Sequence, residues 1–174
     1  NVGRELLEDV YWSGTKAYSM GYNGIYLNLK NREVQGVVTK DETGDVEKEL
    51  IEKLSIVTNP TTGKPVFKNI YTRKDLGISP TEDQAADIFL GYYKGTRSSW
   101  DTAVGAVPEA LFVKRQSKWS GDHLFDPSEI PGVLFMNGNI NTKSPRIIDV
   151  IPTALSLFDI PVTGMFDGIS LIRK

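Results

Sequence analysis

The sequence predicts an α/β unit, a sheet flanked by amphipathic helices, on three observations. Residues 24–29 alternate apolar and polar side chains with the period of two that a half-buried strand requires. Residues 45–57 place apolar side chains at helical spacing. The short apolar run at 132–136 is closed by the turn Asn137-Gly138-Asn139, as a buried strand is. Strands mixed with amphipathic helices in 174 residues, enough to bury a core, argue for an α/β or α+β unit.

In the first strand Ile25, Leu27 and Leu29 share one face and Tyr26 and Asn28 the other, with Asn31-Arg32-Glu33 as a polar turn after it. In the helix at 45–57, Val46, Leu50, Ile51 and Leu54 form the apolar face. Glu47, Lys48, Glu49, Glu52 and Lys53 take the opposite side, so the charge run reads as a solvated face. Glu49 and Lys53 are ordered for an i,i+4 pair worth a few tenths of a kcal/mol, about the usual value. Asn59-Pro60-Thr61-Thr62-Gly63-Lys64-Pro65 breaks the chain, and strands are expected at 66–72 and at Ile88–Tyr92, the second after a helix-compatible 81–86.

Residues 93–122 are rich in Gly, Ser and Thr, with Trp100 and Trp119 embedded. They are either a long functional loop or an excursion packed by its own tryptophans. A final helix is expected from Asp149, whose carboxylate as N-cap can accept first-turn amides. Pro152 at the third helical position removes a donor that has no intrahelical partner. Ile151, Ala154, Leu155 and Phe158 supply its apolar face, and Asp159-Ile160-Pro161 ends it.

A net charge of −2 lacks the basic excess that a nucleic-acid polymer or an anionic membrane demands, and nothing resembles a basic patch interleaved with aromatics. No run approaches the roughly 18 apolar residues of a membrane span. The start, Asn1-Val2-Gly3-Arg4, has neither initiator Met nor signal sequence and reads as a cut end, with the natural protein extending upstream. The absence of cysteine excludes disulfides and thiolate metal sites but assigns no compartment.

Chemistry concentrates at Ser120-Gly121-Asp122-His123. Gly121 permits a tight turn, Asp122 can orient or pair with a neighbour, and His123 is presented from a loop leading into the strand expected at 132–136. Neutral imidazole is a common zinc ligand. His123 is the single histidine, however, and no HExxH-like spacing accompanies it, so on these residues alone a surface or hydrogen-bonded histidine is the favoured reading.

Ordered blocks add a resemblance. Trp12-Ser13-Gly14-Thr15-Lys16-Ala17-Tyr18 looks like W-S-x-T-x-A-Y, and Asn23 to Glu33 looks like N-G-I-Y-x-N-x-K-x-R-E. Ala86-Asp87-Ile88 is similar to P-D-L with Ala for Pro, Ser120-Gly121-Asp122-His123 to S-G-x-H, and Asp149 to Leu155 to D-I-A-P-T-x-L. Pro131-Gly132-Val133-Leu134-Phe135, Phe158-Asp159-Ile160-Pro161 and Asp167-Gly168 complete the order. Together they resemble the C-terminal part of type I phosphodiesterases/nucleotide pyrophosphatases, in the alkaline phosphatase superfamily.

That resemblance implies the C-terminal portion of an alkaline-phosphatase-like α/β fold, with a mixed sheet, flanking helices and residues 1–174 as a single section of a larger protein. It implies two divalent metal ions, commonly zinc, around a Thr or Ser nucleophile acting on a small phosphate ester. His123 matches the family's late metal ligand. The nucleophile and the other ligands precede the resembling segment, so no catalytic residue is assigned here and the missing N-terminal section is an implied partner. The isolated chain is expected to be inactive. The alternative is a non-catalytic lid or binding module associated with a hydrolase domain.

Ser13, Thr15 and Thr102 read as structural hydroxyls. Lys16 and Arg32 read as ion-pair partners of Glu33 or another carboxylate. Arg97 beside Trp100 and Tyr92 has the chemistry to contact phosphate oxygens or stack on a base, although aromatics at this density more often serve packing. Asp122 is either a partner that orients the histidine or a surface residue.

Overall fold

The computed structural model describes residues 7–8, 10–79, 82, 84–100, 109–116, 118–119 and 121–172. They fall into two compact units, Asn1–Ile130 and Pro131–Lys174.

The first unit is built on four strands, β1 (Ala17–Ser19), β2 (Gly24–Leu27), β3 (Phe67–Thr72) and β4 (Ile88–Tyr92), in the order β1-β2-β4-β3. Every pairing of these strands is antiparallel, which corrects the mixed sheet that the resemblance implied. The β1–β2 connection shows the reason: a few residues suffice for a hairpin, whereas a parallel pair needs a crossover of a dozen or so. The expected strands at 66–72 and Ile88–Tyr92 form as β3 and β4. The expected strand at 24–29 stops at Leu27, because the Leu29 N–H turns away to Leu27 O and to Glu33 Oε2 at 2.9 and 2.7 Å.

Helix α1 (Thr43–Ser55) forms where the helix at 45–57 is expected, beginning and ending two residues earlier. A 3-10 turn, Lys40–Glu42, leads into it, and the Thr39 backbone N–H and hydroxyl both donate to Glu42 Oε2. Its apolar face meets the sheet. Leu50, Ile51 and Leu54 pack on Ile25, Val66, Ile88, Leu90 and Tyr92, while Val46 joins Leu27 and Val38. The charged residues face outward as expected, Lys53 pairing with Glu49 in the open. Of the stretch 81–86, residues 81 and 83 lie outside the described residues, and residues 84–86 form a turn and a bend before β4 rather than a helix.

A buried ion pair ties the turn after β2 to the start of β4. Arg32 Nη1 and Nη2 donate to the two oxygens of Asp87 at 2.9 and 2.6 Å, and Nη2 also reaches Leu27 O at 2.7 Å. Arg32 Nε donates to Glu33 Oε1 at 2.8 Å. This is the local ion pair expected of Arg32. Asp87 in turn accepts from the Leu27 N–H at 2.7 Å. Hydrogen bonding to Asp87 raises the Arg32 pKa against the opposing effect of burial, so the guanidinium stays charged. Asn28 closes the region by donating from Nδ2 to the carbonyls of Trp12, Thr15 and Gln35.

A second polar node lies on the sheet face away from α1. Asp126 is fully buried and accepts from Asn69 Nδ2 at 2.9 Å, the Tyr71 hydroxyl at 2.8 Å and the Ser128 N–H at 3.0 Å. Gly91 of β4 makes room for it, since a Cβ there would sit 2.4 Å from Asp126 Oδ2. Desolvation works to raise the Asp126 pKa, but the hydrogen bonds from Ser128, Asn69 and Tyr71 outweigh it and hold the carboxyl at about 2.

In the second unit the expected buried strand at 132–136 is not formed. The backbone there has no strand pairing, and Val133 and Phe135 are 83% and 91% exposed. A buried strand needs partner strands for its amides and cover for both faces, and a unit this short supplies neither. Helix α2 (Val150–Leu157) starts where expected, after Asp149 and with Pro152 in its first turn, but its N-terminus is built differently. A 3-10 turn, Ile147–Asp149, precedes it, and the Asp149 carboxylate makes no bond to the first helical turn. It accepts instead from the Arg146 N–H at 2.8 Å and the Ile169 N–H at 2.9 Å.

Thr153 extends that lock, donating to Asp149 O at 2.6 Å and accepting from the Leu171 N–H at 2.9 Å. Gly168 admits the close approach, since a Cβ there would meet Ile148 O at 2.1 Å. The expected apolar face is therefore corrected: Pro152 and Thr153 are buried, while Ile151 and Phe158 are exposed. The helix turns toward the segment that satisfies its polar groups.

Two outcomes follow for stability. Asp87→Ala leaves Arg32 with Glu33 as its remaining carboxylate and the buried Leu27 N–H without its acceptor, and urea unfolding followed by far-ultraviolet circular dichroism is expected to show a loss of about 2 kcal/mol. Asp126 has a folded pKa near 2, below its unfolded value of about 3.9, so its contribution is complete above about pH 4. That contribution is lost as pH falls from 4 toward 2. Acid titration of Asp126→Asn should therefore show a flatter decline in stability over that window than the parent chain.

Candidate functional site

The candidate site lies in the first unit and is assembled from three separated segments. Tyr22 comes from the β1–β2 turn, Arg97 and Trp100 from the stretch after β4, and Asp122 and His123 from the loop before Phe125. The anchor of that loop corrects the expectation that it leads into a strand at 132–136. Phe125 forms a parallel bridge with Tyr92, and the Asp126 N–H donates to Tyr92 O at 3.0 Å. The histidine loop is thus tied to the end of β4 and to the Asp126 node.

Arg97 organises the neighbourhood. Its Nε lies 2.9 Å from Asp122 Oδ2, an ion pair without the alignment of a hydrogen bond, and its Nη1 donates to Gly121 O at 3.1 Å. Its guanidinium lies over the Trp100 ring, 5.1 Å from the ring centre. Asp122 is held from the other side by the His123 N–H, which donates to Oδ1 at 2.7 Å. The Asp122 side chain is buried, and so it orients the backbone of the histidine rather than lying on the surface.

The imidazole itself is 84% exposed. Its Nδ1 is 3.8 Å from Asp122 Oδ1, too far for a hydrogen bond. Beside it stands Tyr22, 6.2 Å between ring centres and tilted by 60°. Tyr22 meets Trp100 at 6.4 Å with the ring planes 83° apart. Two aromatic rings, a guanidinium and an imidazole thus border one patch of surface.

The sequence-predicted residues separate here. His123, Asp122, Arg97 and Trp100 come together. Tyr92 does not join their surface, because it is buried in the core against Phe67. Burial first, and the Asp122 charge second, push its phenol up to about 12. The Thr15 hydroxyl donates to Tyr11 O at 2.9 Å, a structural role as expected. Ser120 and Thr102 lie outside the described residues.

Tyr22 and Asp126 were not singled out by sequence reasoning. A signal existed for each: an aromatic between Gly21 and Gly24 in a hairpin turn has no core to enter, and Asp-Pro-Ser suits a cap with proline in the first turn.

Among the described residues no group of three or more His, Cys, Asp or Glu side chains is placed to hold a metal ion. No helix among them is long and apolar enough to cross a membrane. Comparison of the chain with family models, curated proteins and solved structures gives no match.

Arg97→Ala removes the side chain that grips both Gly121 O and Asp122. Amide hydrogen exchange read by NMR is expected to speed up about tenfold at His123, with the amides shared by β3 and β4 unchanged. Equal exchange at His123 would show that the loop is held by other means.

Proposed function

We propose that this chain is the part of a metal-dependent phosphoric-ester hydrolase, of phosphodiesterase/nucleotide pyrophosphatase type, that contributes His123 as one metal ligand. The observation that carries this is the contrast within two adjacent residues. Asp122 is buried and clamped by Arg97, while the imidazole of His123 stands open, with no hydrogen bond to either ring nitrogen among the described residues. A histidine whose backbone is fixed and whose ring is unclaimed has the preorganisation that a ligand position needs.

One imidazole does not make the site. A catalytic zinc takes about three protein ligands, and the residues described here supply no such cluster. In this reading the remaining ligands and the Thr or Ser nucleophile belong to another section of the parent protein. Two divalent ions, when bound there, supply activation of the nucleophile and stabilisation of the leaving oxygen of a small phosphate ester. This chain's part is to hold the imidazole in place through the Asp122–Arg97 clamp. The second reading, a non-catalytic lid or binding module, draws on the same lack of a complete ligand set.

The two readings separate in the parent protein. His123→Ala is expected to lower both bound zinc and phosphodiester hydrolysis, the latter by about a hundredfold, measured by metal analysis and by release of 4-nitrophenol from bis(4-nitrophenyl) phosphate. Unchanged zinc content and rate would favour the lid. The 174-residue chain alone is expected to show no hydrolysis of the same diester.

A further inference from the structure

The chain holds two Asn-Gly pairs, Asn23-Gly24 and Asn137-Gly138, in opposite settings. Such a pair carries a reaction of its own, because glycine has no side chain to hinder its nitrogen from reaching the asparagine side-chain carbon. Whether it reaches depends on the freedom of the two residues. In the first unit that freedom is absent. Asn23 is clamped to β4 twice, its carbonyl accepting from the Leu90 N–H at 2.9 Å and its Nδ2 donating to Leu90 O at 3.3 Å. Gly24 is buried in β2 and paired with Phe89. In the second unit the pair is open. Asn137 and Gly138 are both exposed, in a bend outside any helix or strand. Among the described residues no hydrogen bond holds the Asn137 side chain or the Gly138 N–H. Gly138 has φ 149°, backbone space that a side chain disfavours, so the bend itself calls for glycine after the asparagine.

We infer that Asn137 is a site of spontaneous deamidation in the folded chain, with water as the co-reactant, and that the sheet protects Asn23 from the same reaction. Hydroxide takes the Gly138 amide proton, and the nitrogen attacks Asn137 Cγ. A bond from nitrogen to Cγ forms, the Cγ–Nδ2 bond breaks, and ammonia leaves with a proton from water. Water then opens the cyclic succinimide at either carbonyl. Opening at Cγ gives aspartate, and opening at the backbone carbonyl gives isoaspartate, whose main chain runs through Cγ. One water is consumed and one ammonia released, with nothing oxidised or reduced. Either product adds a negative charge to a chain whose net charge is −2. Isoaspartate also lengthens the backbone just before a joint of the second unit. The Asn141 N–H donates to Leu171 O at 2.8 Å, and the buried Leu171 donates its own N–H to Thr153 Oγ1 at 2.9 Å. The modification therefore loosens the hold of Asn141 on Leu171. None of this rests on the hydrolase reading.

The test incubates the 174-residue chain in mildly alkaline buffer, with samples taken over time, digested with trypsin and read by fragmentation mass spectrometry. Deamidation adds about one mass unit per event. That gain is expected at Asn137 about tenfold faster, or more, than at Asn23, which reacts only when the sheet opens. In concentrated urea the sheet is lost, and the two rates are expected to converge. Labelling by an isoaspartyl methyltransferase should mark the aged chain strongly and the aged Asn137→Gln chain weakly, the substitution lying at an exposed position. Hydrogen exchange read by NMR should be faster at the Asn141 amide in the aged chain than in the fresh one. Equal rates at the two asparagines in the folded chain, or no mass gain at Asn137, would overturn the site. A difference that persists in urea would overturn the protective role of the sheet, and unchanged exchange at Asn141 the link to Leu171.

Discussion

The first unit depends on the pairing of Arg32 with Asp87. A guanidinium in a turn and a carboxylate at the head of a strand are 55 residues apart in the chain, yet they meet in two parallel hydrogen bonds. The pair does more than hold two segments together. Asp87 also accepts from the Leu27 amide and Arg32 donates to the Leu27 carbonyl, so both polar groups at the end of β2 are satisfied by one ion pair. Without it, the point where β2 leaves the sheet would carry unpaired backbone groups beside the apolar core of Leu27 and Val38. The geometry is bidentate and the neighbouring Glu33 completes the guanidinium, which is the condition under which a buried pair offsets its own desolvation.

The same device recurs at each junction, with a buried carboxylate standing where regular hydrogen bonding stops. Asp126 joins β3 to the loop that carries His123, and Asp149 joins the start of α2 to the segment at 169. At two of these places a glycine provides the space, Gly91 against Asp126 and Gly168 against Ile148. The candidate site inherits this construction. His123 is displayed from a loop whose one end is fixed by Asp126 and the bridge of Phe125 to β4, and whose middle is fixed by Arg97. An exposed imidazole can then be held in place without being buried itself.

Much of the first unit was legible because its patterns are local. Alternation at Ile25 and Leu27, helical spacing from Val46 to Leu54 and the apolar run Ile88–Tyr92 each state their own burial, and the sheet and α1 follow. The second unit was read less well for a physical reason. An apolar run such as Val133-Leu134-Phe135 signals a preference for burial but not the presence of a cover, and within this unit none is present. Helix α2 shows the same gap. Asp149 was legible as a helix-start residue, but whether its carboxylate turns to its own helix or to a distant amide depends on where residue 169 lies.

The sequence by itself determined β2, β3, β4 and α1 of the first unit, the apolar face of α1, and the candidacy of His123 through the loop chemistry and ordered motifs around it. Only the tertiary structure decided that the sheet is antiparallel, that Asp122 belongs to Arg97, and that Tyr22 rather than Tyr92 stands beside the histidine. The division has one cause. Periodicity is written in neighbouring residues, whereas the pairing of a charge or the setting of a ring depends on segments brought together by chain folding. For His123 that difference is the whole matter: its residue type is read from the sequence, and the clamp on its backbone, built from residues 97 and 122, is visible only in the fold.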